Sequence, residues 1–295
     1  MRNVSKPRPS NYLSNMFCST MRTHPLAKSF IPGKALRKPL EMQLTSGMLF
    51  SSFVCITILP MFSYRLLDYM YTAFHQAHTD GTPVLHPLWF KYPQDNNTFP
   101  IDLQFFYGDS ILVSPVTEEN STSVDIYLAN DIYYDFLTLT PVDGTGSMVT
   151  LDNVNFTSIP LHIKGGSILP LRVESANTTT MLRKKDFEFV VAPNRDGTAR
   201  GKLYIDDGEL IDPPCATSVE MAFKGGLLNV SGTFHYDTGV KLAHVRFLNV
   251  QKAPTRMTID GKQSGDSFTA YDALNKVLDV VVDIKFDRNF LVEYS

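Results

Sequence analysis

The run from Tyr64 to Pro93, YRLLDYMYTAFHQAHTDGTPVLHPLWFKYP, constrains the fold more than any other part of this 295-residue chain. Tyr64, Leu67, Tyr71, Phe74 and His78 recur at helical spacing, so this side of an amphipathic helix is expected to face a core. Thr79-Asp80-Gly81 ends the helix, and Pro83 forbids its continuation. Val84, Leu85, Leu88, Trp89 and Phe90 then form a nearly unbroken apolar stretch, which predicts an extended segment buried on both sides.

After Phe90 the period changes to two. Val124, Ile126 and Leu128 alternate with Ser123, Asp125 and Tyr127, and Ile159, Leu161 and Ile163 alternate across Pro160, His162 and Lys164. Such alternation predicts strands with one buried face. Pro141–Gly144 and Lys164–Gly166 read as turns, and Pro160 and Pro170 as edge strands or strand ends. Further along, Phe187–Val191, Lys202–Ile205, Val219–Phe223, Leu227–Val230, His244–Val250, Val277–Ile284 and Phe290–Tyr294 read as strands. The turn Asn194–Gly197 and a hairpin over Lys224-Gly225-Gly226 punctuate them. Short strands at roughly 8–12-residue spacing point to sandwiches.

Four segments then stand in order: the helix-to-strand run above, FFYGDSILVSPV at Phe105–Val116, LHIKGGSILPL at Leu161–Leu171, and GKLYIDDGE at Gly201–Glu209. Together they resemble glycoside hydrolase family 31, the α-glucosidases, in a fungal maltase-like form. The resemblance implies a mainly β fold. Residues 64–89 correspond to the last helix of a (β/α)8 barrel and the exit from it. Residues 90–173 correspond to a proximal β-sandwich and 174–295 to a distal one, divided between about Val173 and Asp186. Complete members cleave terminal α-linked glucose with retention, through a covalent glycosyl-enzyme.

That chemistry needs two carboxyl groups about 5–5.5 Å apart around one anomeric carbon. The family places its nucleophile in a W-x-D-M-N-E-like strand end and its acid/base in a G-D-N-like segment. Neither pattern occurs in these 295 residues, whose one tryptophan is Trp89. No catalytic residue is therefore carried over, no cofactor or metal is implied, and the chain alone is expected to be inactive. His86 stands where the family commonly has Arg in its G-T-P-V-x-R-P-L-like motif, which removes bidentate pairing there.

Other candidates have bland explanations. In Asp206-Asp207-Gly208-Glu209, successive side chains point to opposite faces, and Asp-Asp-Gly is ordinary turn chemistry. His75 and His78 lie three apart without the H-E-x-x-H arrangement. Gly108-Asp109-Ser110 and Lys164–Ser167 lack the spacing of a phosphate loop, and there is no Gly-x-Ser-x-Gly elbow. Cys18, Cys55 and Cys215 show no metal-ligand spacing, and Cys215 is expected to be unpaired.

Charge divides the chain. Residues 1–41 hold eight of the 27 basic side chains and one of the 30 acidic ones, so the remainder carries a net excess of ten carboxylates. An acidic body argues against a nucleic-acid partner. Residues 1–41 are Pro-, Ser- and Asn-rich without sustained periodicity, which predicts a disordered basic arm. Residues 42–63 carry one charge-free hydrophobic segment, near the ~20 residues that cross a bilayer. Three readings of it stay open: an anchor through residues 42–64 with the basic side cytoplasmic, a soluble buried element, or sequence foreign to this fold that a gene model has joined at Tyr64. Asn96, Asn120, Asn155, Asn177 and Asn229 are candidate N-glycosylation acceptors, all in the acidic body. They suggest a secreted or lumenal protein, with a single-pass membrane-anchored one as the alternative. A supporting or carbohydrate-binding module, with Tyr133, Tyr134 or Tyr236 stacking on sugars, is the competing function.

Overall fold

A computed structural model describes residues 64–118, 120–155, 158–210, 213–237, 239–263 and 269–295. The expected basic arm and the hydrophobic segment 42–63 lie outside the described residues. Helix α1 spans Leu67–Asp80 and stops at Gly81, whose left-handed backbone (φ 78°) lets its N–H reach the Ala77 carbonyl at 3.1 Å. The face it buries differs from the expected one. Leu66, Tyr69, Met70 and Thr72 are buried, whereas Tyr64, Leu67, Tyr71 and Phe74 are only half-buried and His78 is exposed. A helix apolar on most of its circumference offers two stripes, and spacing alone does not say which one meets the sheet.

The segment after α1 also departs from expectation. Strand β1 is only Leu85–Pro87, and Leu88–Lys91 forms a helical turn, α2. Leu88 is buried, but Leu85, Trp89 and Phe90 are exposed, because a helical turn sends neighbouring side chains in different directions.

A six-stranded sheet follows in the order β1-β2-β3-β8-β5-β6, where β2 is Phe105–Tyr107, β3 Ile111–Val113, β5 Ile132–Asp135, β6 Pro141–Asp143 and β8 Leu161–Lys164. Pro141–Asp143 is thus an edge strand rather than a turn. The turn at Gly165-Gly166 does form. Both faces of this sheet are covered, and adjacent residues part company accordingly. Phe106, Leu112 and Tyr133 face a core shared with the two-stranded sheet β4 (Val124–Leu128) and β7 (Ser147–Leu151). Tyr107, Ile111, Tyr134 and Ile163 face a second core shared with α1. Strands buried on both sides read as continuous apolar runs, as FFY, ILV and IYY do here.

The largest sheet has eleven strands, ordered β16-β15-β19-β13-β12-β11-β9-β10-β14-β18-β17. Its centre is β9 (Ser167–Arg172) against β10 (Phe187–Ala192), antiparallel, with Phe189 opposite Pro170. Pro170 therefore lies in an interior strand, contrary to the edge reading. It is tolerated because β11 (Thr198–Ile205) pairs with β9 only at Arg200 and Ser167, leaving no ladder bond at Pro170 to break. Strands β9 and β10 form a wall between two cores. Ile168, Phe187, Phe189 and Val191 point into a large core with β12 to β15, β18 and β19, while Leu169, Leu171, Val190 and Ala192 point back to the α1 core. The expected division at about residues 173–186 falls in the connection between these two paired strands.

The distal hairpin matches its pattern closely. β12 (Thr217–Lys224) alternates buried and exposed at every residue against β13 (Leu227–Phe234). Gly225 and Gly226 both take positive φ, 59° and 87°, as a two-residue hairpin turn requires. The remaining strands are β14 (Lys241–Phe247), β15 (Met257–Ile259), β16 (Lys262–Gln263), β17 (Thr269–Asp272), β18 (Val277–Lys285) and β19 (Phe290–Tyr294).

Candidate functional site

The carboxylate cluster is built as a turn. Asp206 is buried, and both of its oxygens lie 2.8 Å from the Tyr71 hydroxyl, which donates to it. Its Oδ1 also accepts the Gly208 N–H at 2.8 Å, and Arg183 donates to its backbone carbonyl. Asp207 is half-buried, and its Oδ1 accepts the N–H groups of Glu209 (3.0 Å) and Leu210 (3.1 Å). Those two donors hold its carboxyl below the usual carboxylate range. Both acids accept backbone N–H groups of the turn itself, Gly208 for Asp206 and Glu209 with Leu210 for Asp207, which is the geometry of a turn and not of two groups bracketing one bond.

The same turn is one end of a polar clamp that ties α1 to the sheets. His75 stacks on Tyr204 with ring centroids 3.5 Å apart and planes 12° from parallel, and burial pushes its pKa down. Thr72 Oγ1 accepts the Tyr204 N–H at 3.0 Å. At the other end Arg172, buried at 2 % exposure, makes a bidentate pair with Asp68 (2.7 and 2.8 Å), donates to the Lys185 carbonyl and lies 3.7 Å over the Phe187 ring. Arg65 donates to the Arg172 carbonyl at 2.9 Å and pairs with Glu188, itself buried at 1 % exposure. Burial pushes the Glu188 carboxyl up, opposed by the Arg65 and Arg246 guanidinium groups. In the middle the buried Tyr69 hydroxyl donates to the Tyr107 carbonyl and accepts the Ser110 N–H, both at 2.9 Å. Gly108 is required beside it: a Cβ there would collide with the Tyr69 ring and hydroxyl.

Arg172 and Glu188 were invisible as partners at the sequence level. Their one signal is a charge set in an apolar run, SILPLR and FEFVV, where it must be paired to be tolerated.

His78 is exposed, and among the described residues no group of three or more His, Cys, Asp or Glu is arranged to hold a metal. Cys215 is free and exposed. Tyr133 and Tyr134 are buried rather than presented to a sugar, and Tyr236 is half-buried with its backbone N–H and carbonyl both engaged by Thr217. His86 is buried, stacked on Phe90 at 4.8 Å, with Nε2 against the Pro83 carbonyl. Burial and nearby Lys91 push its pKa down, so a neutral ring occupies the position where the family motif carries a cation. All five sequon asparagines, Asn96, Asn120, Asn155, Asn177 and Asn229, are exposed.

The sequence near His86 exposes several large apolar side chains. Leu85, Trp89, Phe90, Phe99 and Leu103 are between 39 % and 55 % exposed within nineteen residues. Scattered exposed apolar side chains are ordinary, and five large ones within nineteen residues make this segment a candidate contact surface.

Residues 81–169, which include this apolar segment and the six-stranded sheet, match the family model described as the glycosyl hydrolase family 31 C-terminal domain. The chain belongs to glycoside hydrolase family 31, as its C-terminal portion. It is 47 % identical over 221 residues to a probable alpha/beta-glucosidase of Arthroderma benhamiae, an alignment covering 75 % of this chain and 25 % of the relative. A probable alpha/beta-glucosidase of Aspergillus fumigatus is 52 % identical over 197 residues, covering 67 % and 22 %. Among solved structures, the glucosidase II alpha subunit superposes with a TM-score of 0.69 at 25 % identity, over 79 % of this chain and 28 % of that one. The family 31 chain described here spans about a quarter of the length of the curated relatives it matches. Among its described residues no helix is long and apolar enough to cross a membrane.

Proposed function

We propose that this chain supplies the C-terminal β-domains of an α-glucosidase-like hydrolase, an enzyme whose complete form releases terminal α-linked glucose with retention. The observation that carries the reading is the set of exposed apolar side chains between Leu85 and Leu103, in the family-matched segment that follows α1 in the chain. In this reading these side chains, with the half-buried Leu67 and Phe74 of α1, form the surface that seats a catalytic barrel. The clamp through Arg172, Asp68, Arg65 and Glu188 keeps α1 on the β-domains whether or not a barrel is present. The barrel would supply the two opposed carboxylates, and the β-domains would supply a rigid base for it. The five exposed sequons support a secreted or lumenal location. Residues 42–64 offer the alternative of a membrane anchor.

The test has two arms. The purified chain should leave maltose and a nitrophenyl α-glucoside at the buffer rate, while binding a hydrophobic dye that Trp89→Ser with Phe90→Ser largely abolishes without lowering the melting temperature. Turnover by the wild-type chain that disappears in the Asp206→Ala, Asp207→Ala double variant would overturn the reading and turn the Asp-Asp-Gly turn into a catalytic site. Dye binding unchanged by the double serine variant would remove these apolar side chains from it.

A further inference from the structure

A cleft of about 500 Å³ opens on the proximal unit between the loop after α2 and the end of β4, within the size range of small-ligand sites. Its walls are Tyr92, Gln94, Asp95, Asn97, Tyr127 and Asn130. Tyr92, Tyr127, Asp95 and Asn130 are held in place by hydrogen bonds. Tyr92 donates to Asp131 at 3.0 Å and accepts from Tyr133 at 2.8 Å, so its half-buried ring is fixed in orientation. The Tyr127 hydroxyl donates to Asp95 at 2.6 Å, and the other Asp95 oxygen accepts the Asn97 N–H at 3.1 Å. Asn130 accepts Arg195 through Oδ1 at 2.7 Å, which fixes the amide and leaves its two N–H groups as donors.

The charge balance narrows the ligand. Asp95 is the one carboxylate on the wall, and both its oxygens are already bonded, so the cleft offers no cation site. Lys91 is the one cation, and it is paired with Asp109 outside the cleft, so an anion gains little. Tyr127 is buried, so what remains is the half-buried Tyr92 ring beside amide donors and acceptors at Gln94, Asn97 and Asn130. That combination suits a neutral polyol, whose hydroxyls need both donors and acceptors and whose C–H face packs on an aromatic ring. Pre-fixed side chains lower the ordering cost of binding.

We infer that this cleft is a non-catalytic binding site for a neutral oligosaccharide. Two sources share that chemistry: a free glucan chain, and an N-glycan on the chain's own exposed Asn96, whose sequence neighbours Asp95 and Asn97 line the cleft.

The test is titration of the full chain, made in a host that adds no N-glycans, with maltotriose under saturation-transfer NMR. A dissociation constant of about 1 mM is expected, which is the level a few hydrogen bonds and one stacking contact reach. The Gln94→Ala, Asn130→Ala double variant should weaken it by at least about tenfold with an unchanged melting temperature. Inorganic phosphate should not compete. Absence of saturation transfer well above millimolar sugar, or an affinity unchanged in the double variant, would overturn the assignment. With the chain made in a glycosylating host, maltotriose binding that is lost and then restored by Asn96→Gln assigns the cleft to the chain's own glycan, and retained binding assigns it to free oligosaccharide. The readout is binding without hydrolysis, so an inactive chain leaves it unaffected, and failure here leaves the barrel-seating role standing.

Discussion

The distal hairpin β12–β13 and the clamp where α1 meets β9 and β10 stabilise the same molecule by opposite means. The hairpin places every second residue in one core: Val219, Met221, Phe223, Leu228 and Val230 are buried, and Glu220 and Ala222 between them are exposed. Its energy is apolar burial, spread over many small contributions. At the clamp both faces of the strands are buried, so charged groups have no water to turn to and must be met by other charges. Arg172 with Asp68, and Glu188 with Arg65, are the result. The lesson is that a region buried on two sides concentrates its stability in a few paired groups. Removing one of those leaves its partner stranded in low dielectric.

This contrast can be broken most sharply at Arg172. Arg172→Ala strips Asp68 of a bidentate partner, the Lys185 carbonyl of a donor and Phe187 of its stacked cation. A loss of about 4 kcal/mol in urea-unfolding free energy is expected, as for other buried pairs cut on one side. Pairing it with Asp68→Ala should give far less than the sum of the two single losses, because the second change removes the stranded charge.

At the hairpin, Leu228→Ala should cost about 3 kcal/mol, the ordinary cost of a cavity under a fully buried leucine. A second truncation across the core, at a residue that does not touch Leu228, should add to it independently. Strong coupling there, or simple additivity at the clamp, would erase the distinction between the two regions.

The gentlest probe is pH. His162 is buried beside Leu112, and burial pushes its pKa below the ordinary histidine value. The unfolded chain therefore binds a proton that the folded chain refuses, and stability falls as pH drops below about 6.5. The slope contributed is at most about 1.4 kcal/mol per pH unit. His162→Gln should flatten the change in unfolding free energy between neutral and mildly acidic buffer. An unaltered slope would place the acid sensitivity elsewhere.

Legibility in the sequence follows the same divide. The alternation from Val219 to Phe223, the Gly225-Gly226 turn and the long strand at Val277 were readable because one exposed face keeps polar residues in step with the pleat. The motif order was readable as well, and with it the family. What failed did so where burial is two-sided or where a helix has more than one apolar stripe. Leu67, Tyr71 and Phe74 looked core-facing, yet Tyr69 and Met70 are the residues beneath the helix. Leu88-Trp89-Phe90 looked like strand because an apolar run carries no period, and Pro170 looked like an edge because its missing neighbour bond cannot be seen without the register. The turn at Asp206 was legible as a turn. The pocket of tyrosines and amides around Tyr92 was not, since its walls come from segments thirty residues apart.

The pairing of β9 with β10 carries a further consequence. Residues 173–186 connect two adjacent strands that six register pairs already hold together. A protease nick in that connection should cut the polypeptide without parting it. The two pieces would migrate together in native gels and separate only in denaturant, which would make this site a natural place to split the protein into halves that find each other again.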